Sequence, residues 1–367
     1  MVVDDSVVVR GMLARALEND PGITVVASVG NGQIAVSTLQ HEPVDVIVLD
    51  VEMPVMDGLT AIPLLLKVMP SVKIIMASTL TQRNAEISIR ALEAGATDYI
   101  AKPQATRDMG STSIFRQEFV TKVRALGDAA RRGKSHIDAM SGVRERAAPA
   151  PREVVKPVIT LRSMPVIPQR PDAIAIGSST GGPQALMKVL ERLAHNGPPL
   201  TQPVLMTQHM PATFTSILAE HISRQCGIPC TEAKEGEIIQ GGHFYVAPGD
   251  NHMTIDRDLA RNQICVRLNK DAPENFCRPS VDPMLRSMTK IYGRKLLTVI
   301  LTGMGSDGCK GCESVVAEGG IVLAQDEASS VVWGMPGAVA VAGLCTAILP
   351  LDQIADSIRR LATGGAG

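Results

Sequence analysis

Residues 173–183 read AIAIGSSTGGP: a short apolar run that stops at a glycine-rich turn, with Ser179 in the turn. The same design recurs twice downstream, as VLMTQHMP over 204–211 and TVILTGMGSDG over 298–308, the turns now carrying His209 and Asp307. Parallel α/β sheets gather functional side chains at the carboxyl ends of their strands. Ser179, His209 and Asp307 are therefore expected to meet there as nucleophile, base and orienting acid, which is a hydrolase signature.

Toward the amino terminus stands a second, independent pattern. Asp4 and Asp5 follow the apolar start of the chain, VDVIVLD ends in Asp50, a further strand-like run ends at Ser78, and DYIAKP supplies Lys102. Two carboxylates after one strand and a third after another build an oxygen cage for a divalent ion. Such an ion draws a phosphoryl donor onto Asp50, while Lys102 and Ser78 can pair with the phosphate.

Period and punctuation give the organisation. Val9, Met12, Leu13, Ala16 and Leu17 recur at helical spacing, ITVVASV reads as a buried strand, and strands ending at Asp50, Ser78 and Lys102 alternate with helices over 33–39, 59–68 and 84–93. Five strands alternating with helices predict a doubly wound, flavodoxin-like parallel sheet over residues 1–104. FRQEFVTKVRALGDAARR predicts an amphipathic helix, and the Pro-, Ser-, Arg- and Ala-rich stretch 135–171 a hinge, so residues 105–171 are expected to link the halves. Residues 172–362 resume α/β alternation as a larger domain, with HFYVAPG and ICVRL suggesting an antiparallel hairpin.

With 45% apolar and 20% charged residues, the 367-residue chain has the composition of a globular protein of two domains. Its apolar stretches are too short or too interrupted to cross a bilayer, and no basic segment leads into an apolar one at the start, so a cytoplasmic location without membrane insertion is expected. Residues 1–104 hold 12 acidic and 7 basic residues (net −5), 105–171 hold 6 and 13 (net +7), and the rest 19 and 16 (net −3). Basic linkers can bind nucleic acid, but aromatics make up only 2% of the chain and neither flanking domain is basic, which argues for a solvated linker and no nucleic-acid partner. Seven scattered cysteines read as free thiols. Cys309 and Cys312 form a lone CxxC with no second ligand pair, so no metal is assigned to them.

Taken together, the motifs resemble those of the CheB family, chemotaxis response-regulator protein-glutamate methylesterases. The receiver motifs are VVDDS, VLDVEMPVMDG, MASTLT and GATDYIAKP; the effector motifs are IGSSTGGP, TQHMP, YVAPGDNHM, RPSVD, ILTGMGSDG and WGMPGAV. The receiver motifs fit a large regulator superfamily, whereas the effector set is specific. The resemblance implies hydrolysis of methyl esters on the cytoplasmic domains of chemoreceptors, with methanol released and glutamate restored, and deamidation of receptor glutamines. It implies a chemotaxis histidine kinase as phosphodonor to Asp50, Mg2+ held by Asp4, Asp5, Asp50 and the backbone carbonyl of Glu52, and a switch running through Ser78, Tyr99 and Lys102. It also implies that the Met304 amide stabilises the oxyanion, that Thr180 helps orient the base, and that the esterase site needs no cofactor.

Each residue has competitors. Ser178 and Thr180 are alternative hydroxyls, and the resemblance selects Ser179. GSSTGG does not fit a dinucleotide loop, since it lacks the GxGxxG spacing. Of the seven histidines His209, His243 and His252 remain as candidates, His209 directly following an apolar strand and His252 either touching substrate or serving as a loop hydrogen-bonder. Asp282, Asp326 and Asp250 compete with Asp307, while Arg278 lines a cleft or pairs with a surface acid. Asp57 before Gly58 reads as a turn residue. Only Met1 to Val3 precede Asp4, so the first strand looks short or the start lies upstream. Cys277 stands where some relatives carry a different polar residue. A phosphorylation-controlled transcription factor would share residues 1–104 but carry a small, basic, helical output domain. A non-catalytic scaffold would have no need of Ser, His and Asp together.

Overall fold

The structure, a computed structural model, describes residues 1–79, 81–102, 109–141, 159–164 and 170–364; within 109–141 it describes side chains from 115 to 131. Much of the stretch 135–171 therefore lies outside the described residues. The chain divides into two compact units, Met1–Pro157 and Val158–Gly367.

In the first unit β1 (Val2–Val3), α1 (Val7–Glu18), β2 (Ser28–Val29), α2 (Gly32–His41), β3 (Val46–Asp50), α3 (Gly58–Val68), β4 (Lys73–Ser78), α4 (Gln82–Glu93) and β5 (Asp98–Ala101) alternate, followed by α5 (Met109–Ser141). The sheet order is β2-β1-β3-β4-β5, every pair parallel. Helices cover both faces of a doubly wound sheet, so its central strands must be apolar throughout. VIVLD of β3 is wholly buried, and so is β4 after Lys73. Side-chain oxygens start the helices: Ser6, Asn31, Asp57 and Thr81 each accept a backbone N–H three residues on. Asp57 is thus the N-cap of α3. In α5, Phe119 and Leu126 are fully buried and the helix packs on β3 and β4, so part of the stretch read as a linker belongs to this unit's core. ITVVASV forms far less strand than its composition suggests. β1 offers only Val2 and Val3 for pairing, so β2 is confined to Ser28 and Val29 and Val26 is left exposed.

The second unit contains β6 (Ala173–Ser178), α6 (Gly182–His195), β7 (Val204–Gln208), α7 (Ala212–Cys226), β8 (Cys230–Glu232), β9 (Phe244–Val246), β10 (His252–Asp258), β11 (Gln263–Asn269), α8 (Val281–Tyr292), β12 (Leu296–Ile300), α9 (Cys309–Ala317), β13 (Ile321–Gln325), α10 (Met335–Val341), β14 (Ala347–Leu349) and α11 (Leu351–Thr363). Its seven-stranded sheet has the order β14-β13-β12-β6-β7-β9-β8, all parallel. The antiparallel pair is β10 with β11, which corrects the expected pairing of HFYVAPG with ICVRL. Phe244, Tyr245 and Val246 are all buried, as a strand inside a parallel sheet requires, whereas β10 is buried at its start and exposed toward its end, as suits a half-exposed hairpin.

β6 lies between β7 and β12, so the chain winds outward to one side of β6 and later to the other. That is the switch point at which an open α/β sheet leaves a crevice beyond its strand ends. Ser179 follows β6, His209 follows β7, and Asp307 lies in the turn between β12 and α9.

Candidate functional site

Beyond those strand ends His209 Nε2 donates to Asp307 Oδ2 at 2.7 Å. The other ring nitrogen, Nδ1, has Cys277 Sγ at 3.3 Å. Both atoms that can carry the imidazole proton are therefore occupied, one by a carboxylate and one by a thiol. Burial works against charge on His209, but Cys277 and the Asp307 carboxylate outweigh it and raise the pKa of the imidazole well above its ordinary value.

Asp307 is 1% exposed and collects an unusual number of donors. Besides His209, Oδ2 accepts Val281 N at 2.6 Å, while Oδ1 accepts Ser280 Oγ at 2.7 Å, Asn275 Nδ2 at 2.9 Å, Gly308 N at 2.9 Å and Asp282 N at 3.2 Å. Burial would raise this carboxyl, but the His209 hydrogen bond and charge, with Val281 N and Ser280 Oγ, hold it down at about 2. The three rival acids are used elsewhere. Asp282 accepts from Gly311 N and Asn275, and burial and the neighbouring Asp307 raise its pKa. Asp326 accepts from Ser329, and Asp250 pairs with Arg278 and Lys270. His252 is buried, with Nε2 facing the Ala272 carbonyl and Nδ1 accepting Ser280 N, so it is an internal hydrogen-bonder that positions Ser280.

Among the three consecutive hydroxyls, Ser178 Oγ is spent on Gln208 Oε1 at 2.7 Å, and Thr180 is wholly buried with its Oγ1 unpartnered among the described residues. Ser179 remains at the rim, 9% exposed, and its Oγ makes no hydrogen bond among the described residues, to His209 or otherwise. Gln208 Nε2 reaches the carbonyls of Ser179 and His209 and clamps the two turns together. Gly303 packs so closely on Ser179 that a Cβ there would lie 2.9 Å from Ser179 Cβ and 2.4 Å from Met335 Sδ. Gly181, at φ +73, would drive a Cβ to 2.6 Å from Val331. Met304 follows Gly303, and its amide donates to no acceptor among the described residues.

The sequence reading missed Cys277 as the neighbour of His209, and Gln208, Asn275 and Ser280 as supports. Gln208 and Ser280 lie inside the quoted TQHMP and RPSVD motifs, which was the available signal.

In the first unit Asp4, Asp5 and Asp50 bring carboxylate oxygens within 4.8 Å of one another. Lys102 Nζ stands 2.6 Å from both Asp4 Oδ2 and Asp50 Oδ1. Burial raises the Asp50 carboxyl against the opposing pull of Lys102. One ammonium against three carboxylates, all oxygen donors, leaves charge that a hard dication would neutralise, so the donor set fits Mg2+. The Glu52 carboxylate pairs with Arg83 and stands outside the cluster. Ser78 is buried and accepts a hydrogen bond from Ser88 Oγ at 3.2 Å. Tyr99 is buried beneath Lys122, whose Nζ donates to the Tyr99 carbonyl at 3.0 Å and lies 5.3 Å from the ring centroid. Among the described residues no other group of acids, histidines and cysteines has metal-holding geometry, and no helix is long and apolar enough to cross a membrane.

Comparison with known proteins covers almost the whole chain. The family model described as CheB methylesterase matches residues 174–358, and that described as Response regulator receiver domain matches residues 1–112. The chain is 58% identical over 374 residues to the protein-glutamate methylesterase/protein-glutamine glutaminase of group 2 operon of Rhodospirillum centenum, covering 99% of this chain and 93% of the relative. It is 59% identical over 374 residues to the protein-glutamate methylesterase/protein-glutamine glutaminase of Azospirillum brasilense, covering 100% of this chain and 93% of the relative.

Proposed function

Because the chain belongs to the CheB methylesterase family, we propose that it is a phosphorylation-controlled protein-glutamate methylesterase that also deamidates glutamine, acting on the cytoplasmic domains of chemoreceptors. The observation that carries the reading is the 2.7 Å contact between His209 and a buried, anionic Asp307 at the sheet's switch point, beside the turn of Ser179.

Ser179 Oγ attacks the ester carbonyl carbon and gives its proton to His209 Nδ1. Asp307 at Nε2 stabilises the imidazolium and fixes which nitrogen accepts. The imidazolium returns the proton to the departing methoxide, methanol leaves, and an acyl-Ser179 remains. Water attacks that acyl group with His209 again as base, releasing the glutamate carboxylate. The Met304 amide receives the oxyanion of each tetrahedral intermediate. Thr180, buried in the same turn, helps orient the base. Cys277 holds Nδ1 in the resting site, and Ser179 takes its place in the substrate complex. Amide hydrolysis follows the same course with ammonia as leaving group. The esterase chemistry calls on no cofactor.

The contact at Nδ1 favours one further reading, in which Cys277 itself is the nucleophile. Ser179 is preferred because it stands at the switch point next to the unspent Met304 amide.

Asp50 is the phosphoryl acceptor, with a chemotaxis histidine kinase as donor. Asp4, Asp5, Asp50 and the Glu52 carbonyl would hold Mg2+, which supplies charge neutralisation for phosphoryl transfer. Lys102 pairs with the phosphate, while Ser78 and Tyr99 relay its presence. These roles place the protein in the cytoplasm, without nucleic acid or membrane insertion. Residues 1–104 serve as receiver together with the part of α5 packed on β3 and β4, the rest of 105–171 as linker and 172–362 as catalytic domain.

The test is methanol release from membranes carrying methylated receptors. Ser179→Ala should lower turnover on the order of 10³-fold or more. Near-normal release by that variant refutes the reading.

A further inference from the structure

Glu274–Cys277 is a two-residue hairpin: Glu274 N donates to Cys277 O at 3.2 Å, and Cys277 N to Glu274 O at 2.9 Å. Its central residues are both left-handed, Asn275 at φ 52 and Phe276 at φ 63. Such turns favour Asn followed by Gly, since the second position penalises a Cβ. Asn275 conforms; Phe276 does not. Nor does packing explain the ring, which is 94% exposed in a chain with only five phenylalanines. A bulky apolar side chain held in an unfavourable backbone region and turned to solvent points to a role outside the fold.

The turn is fastened to the reacting groups on both sides of that ring. Asn275 Nδ2 donates to Asp307 and Asp282, and Cys277 Sγ touches His209 Nδ1. Glu274 pairs with Arg286 and lines a polar cleft of about 410 Å3 with Arg267 and Lys290. Consecutive Cα atoms are about 3.8 Å apart, so the ring is rooted one residue from the group at the base. A polypeptide that presents a side-chain ester to Ser179 can lay the residues next to that ester against this rim.

We propose that Phe276 is a specificity residue, an apolar anchor for aliphatic side chains beside the modified glutamate, with the polar cleft receiving charged neighbours. This rests on the protein-glutamate methylesterase reading and adds to it what distinguishes a protein substrate from a free ester.

The test compares kcat/KM on methylated receptor membranes with kcat/KM on N-acetyl-glutamate γ-methyl ester amide, for the wild-type chain, Phe276→Asn and Phe276→Tyr. Asn tolerates the left-handed region, so the first variant keeps the turn while removing the ring. Covering about half a Phe side chain corresponds to roughly a tenfold effect. Phe276→Asn should therefore lose about tenfold more kcat/KM on the receptor than on the small ester, chiefly through KM, and Phe276→Tyr should restore it. Equal losses on both substrates, or none on the receptor, would overturn the anchor. Wild-type turnover of neither substrate would overturn the esterase reading beneath it, a different result from either.

Discussion

Replacing Asp307 by Asn removes one acceptor oxygen and leaves every neighbouring donor in place. An NH2 at the Oδ1 position would face four donors, Ser280 Oγ, Asn275 Nδ2, Gly308 N and Asp282 N; at the Oδ2 position it would face two, His209 Nε2 and Val281 N. The second orientation is the less costly. It forfeits the Val281 N hydrogen bond to a charged, buried acceptor and leaves the His209 contact a neutral one, each change worth about 1.5 kcal/mol or more, so the unit Val158–Gly367 should lose about 3 kcal/mol or more. At about 2–4 °C per kcal/mol for a unit of this size, Tm should fall by at least about 6–12 °C. The chemical effect should be larger. An NH2 facing Nε2 makes that nitrogen an acceptor and drives the ring proton onto Nδ1, the atom that must take the Ser179 proton. Turnover should drop about 10³- to 10⁴-fold. Calorimetry on the full chain and methanol release from the same preparation measure both effects. An Asp307→Asn variant with Tm unchanged and turnover within tenfold of wild type would refute the assignment of Asp307 as the partner of the base.

Cys277→Ala removes one of the groups that raise the His209 pKa, and the base works only when deprotonated, so the acid limb of the kcat/KM profile should move to lower pH; an unmoved limb would contradict the contact at Nδ1. Acetyl phosphate should label the chain only with magnesium present, and Asp50→Asn should abolish the label; label persisting in that variant would place the acceptor elsewhere. Removing residues 1–157 should raise basal ester hydrolysis by about 5- to 150-fold if the receiver restrains the esterase by about 1–3 kcal/mol, and an isolated unit no faster than the unphosphorylated chain would exclude restraint.

What the sequence made legible was the part encoded locally. Apolar runs ending at Asp50, Ser178 and Gln208 became parallel strands because burial on both faces of the sheet demands such runs, and Ser179, His209 and Asp307 then fell at strand ends. Where pairing depended on a distant partner, composition misled. ITVVASV could extend only as far as β1 allowed, and Phe244 to Val246 joined the large sheet while His252 to Asp258 made the hairpin. The supports of the site were hidden for the same reason. Cys277 and Asn275 reach His209 and Asp307 only because the Glu274–Cys277 turn folds across the sheet ends, and nothing in the spacing of 68 residues between His209 and Cys277 announces it. His252 looked available for substrate in PGDNHM, yet both ring nitrogens are spent inside the protein.

The mechanism requires that Ser179, rather than the thiol beside His209, carries the acyl group. An alkyl phosphonofluoridate, which phosphonylates an activated nucleophile, followed by peptide mass spectrometry of the inactivated chain, tests it most directly. A single adduct on Ser179, loss of activity in step with its formation, and no adduct in His209→Ala are expected. An adduct on Cys277, or full activity in a chain quantitatively modified at Ser179, would contradict it.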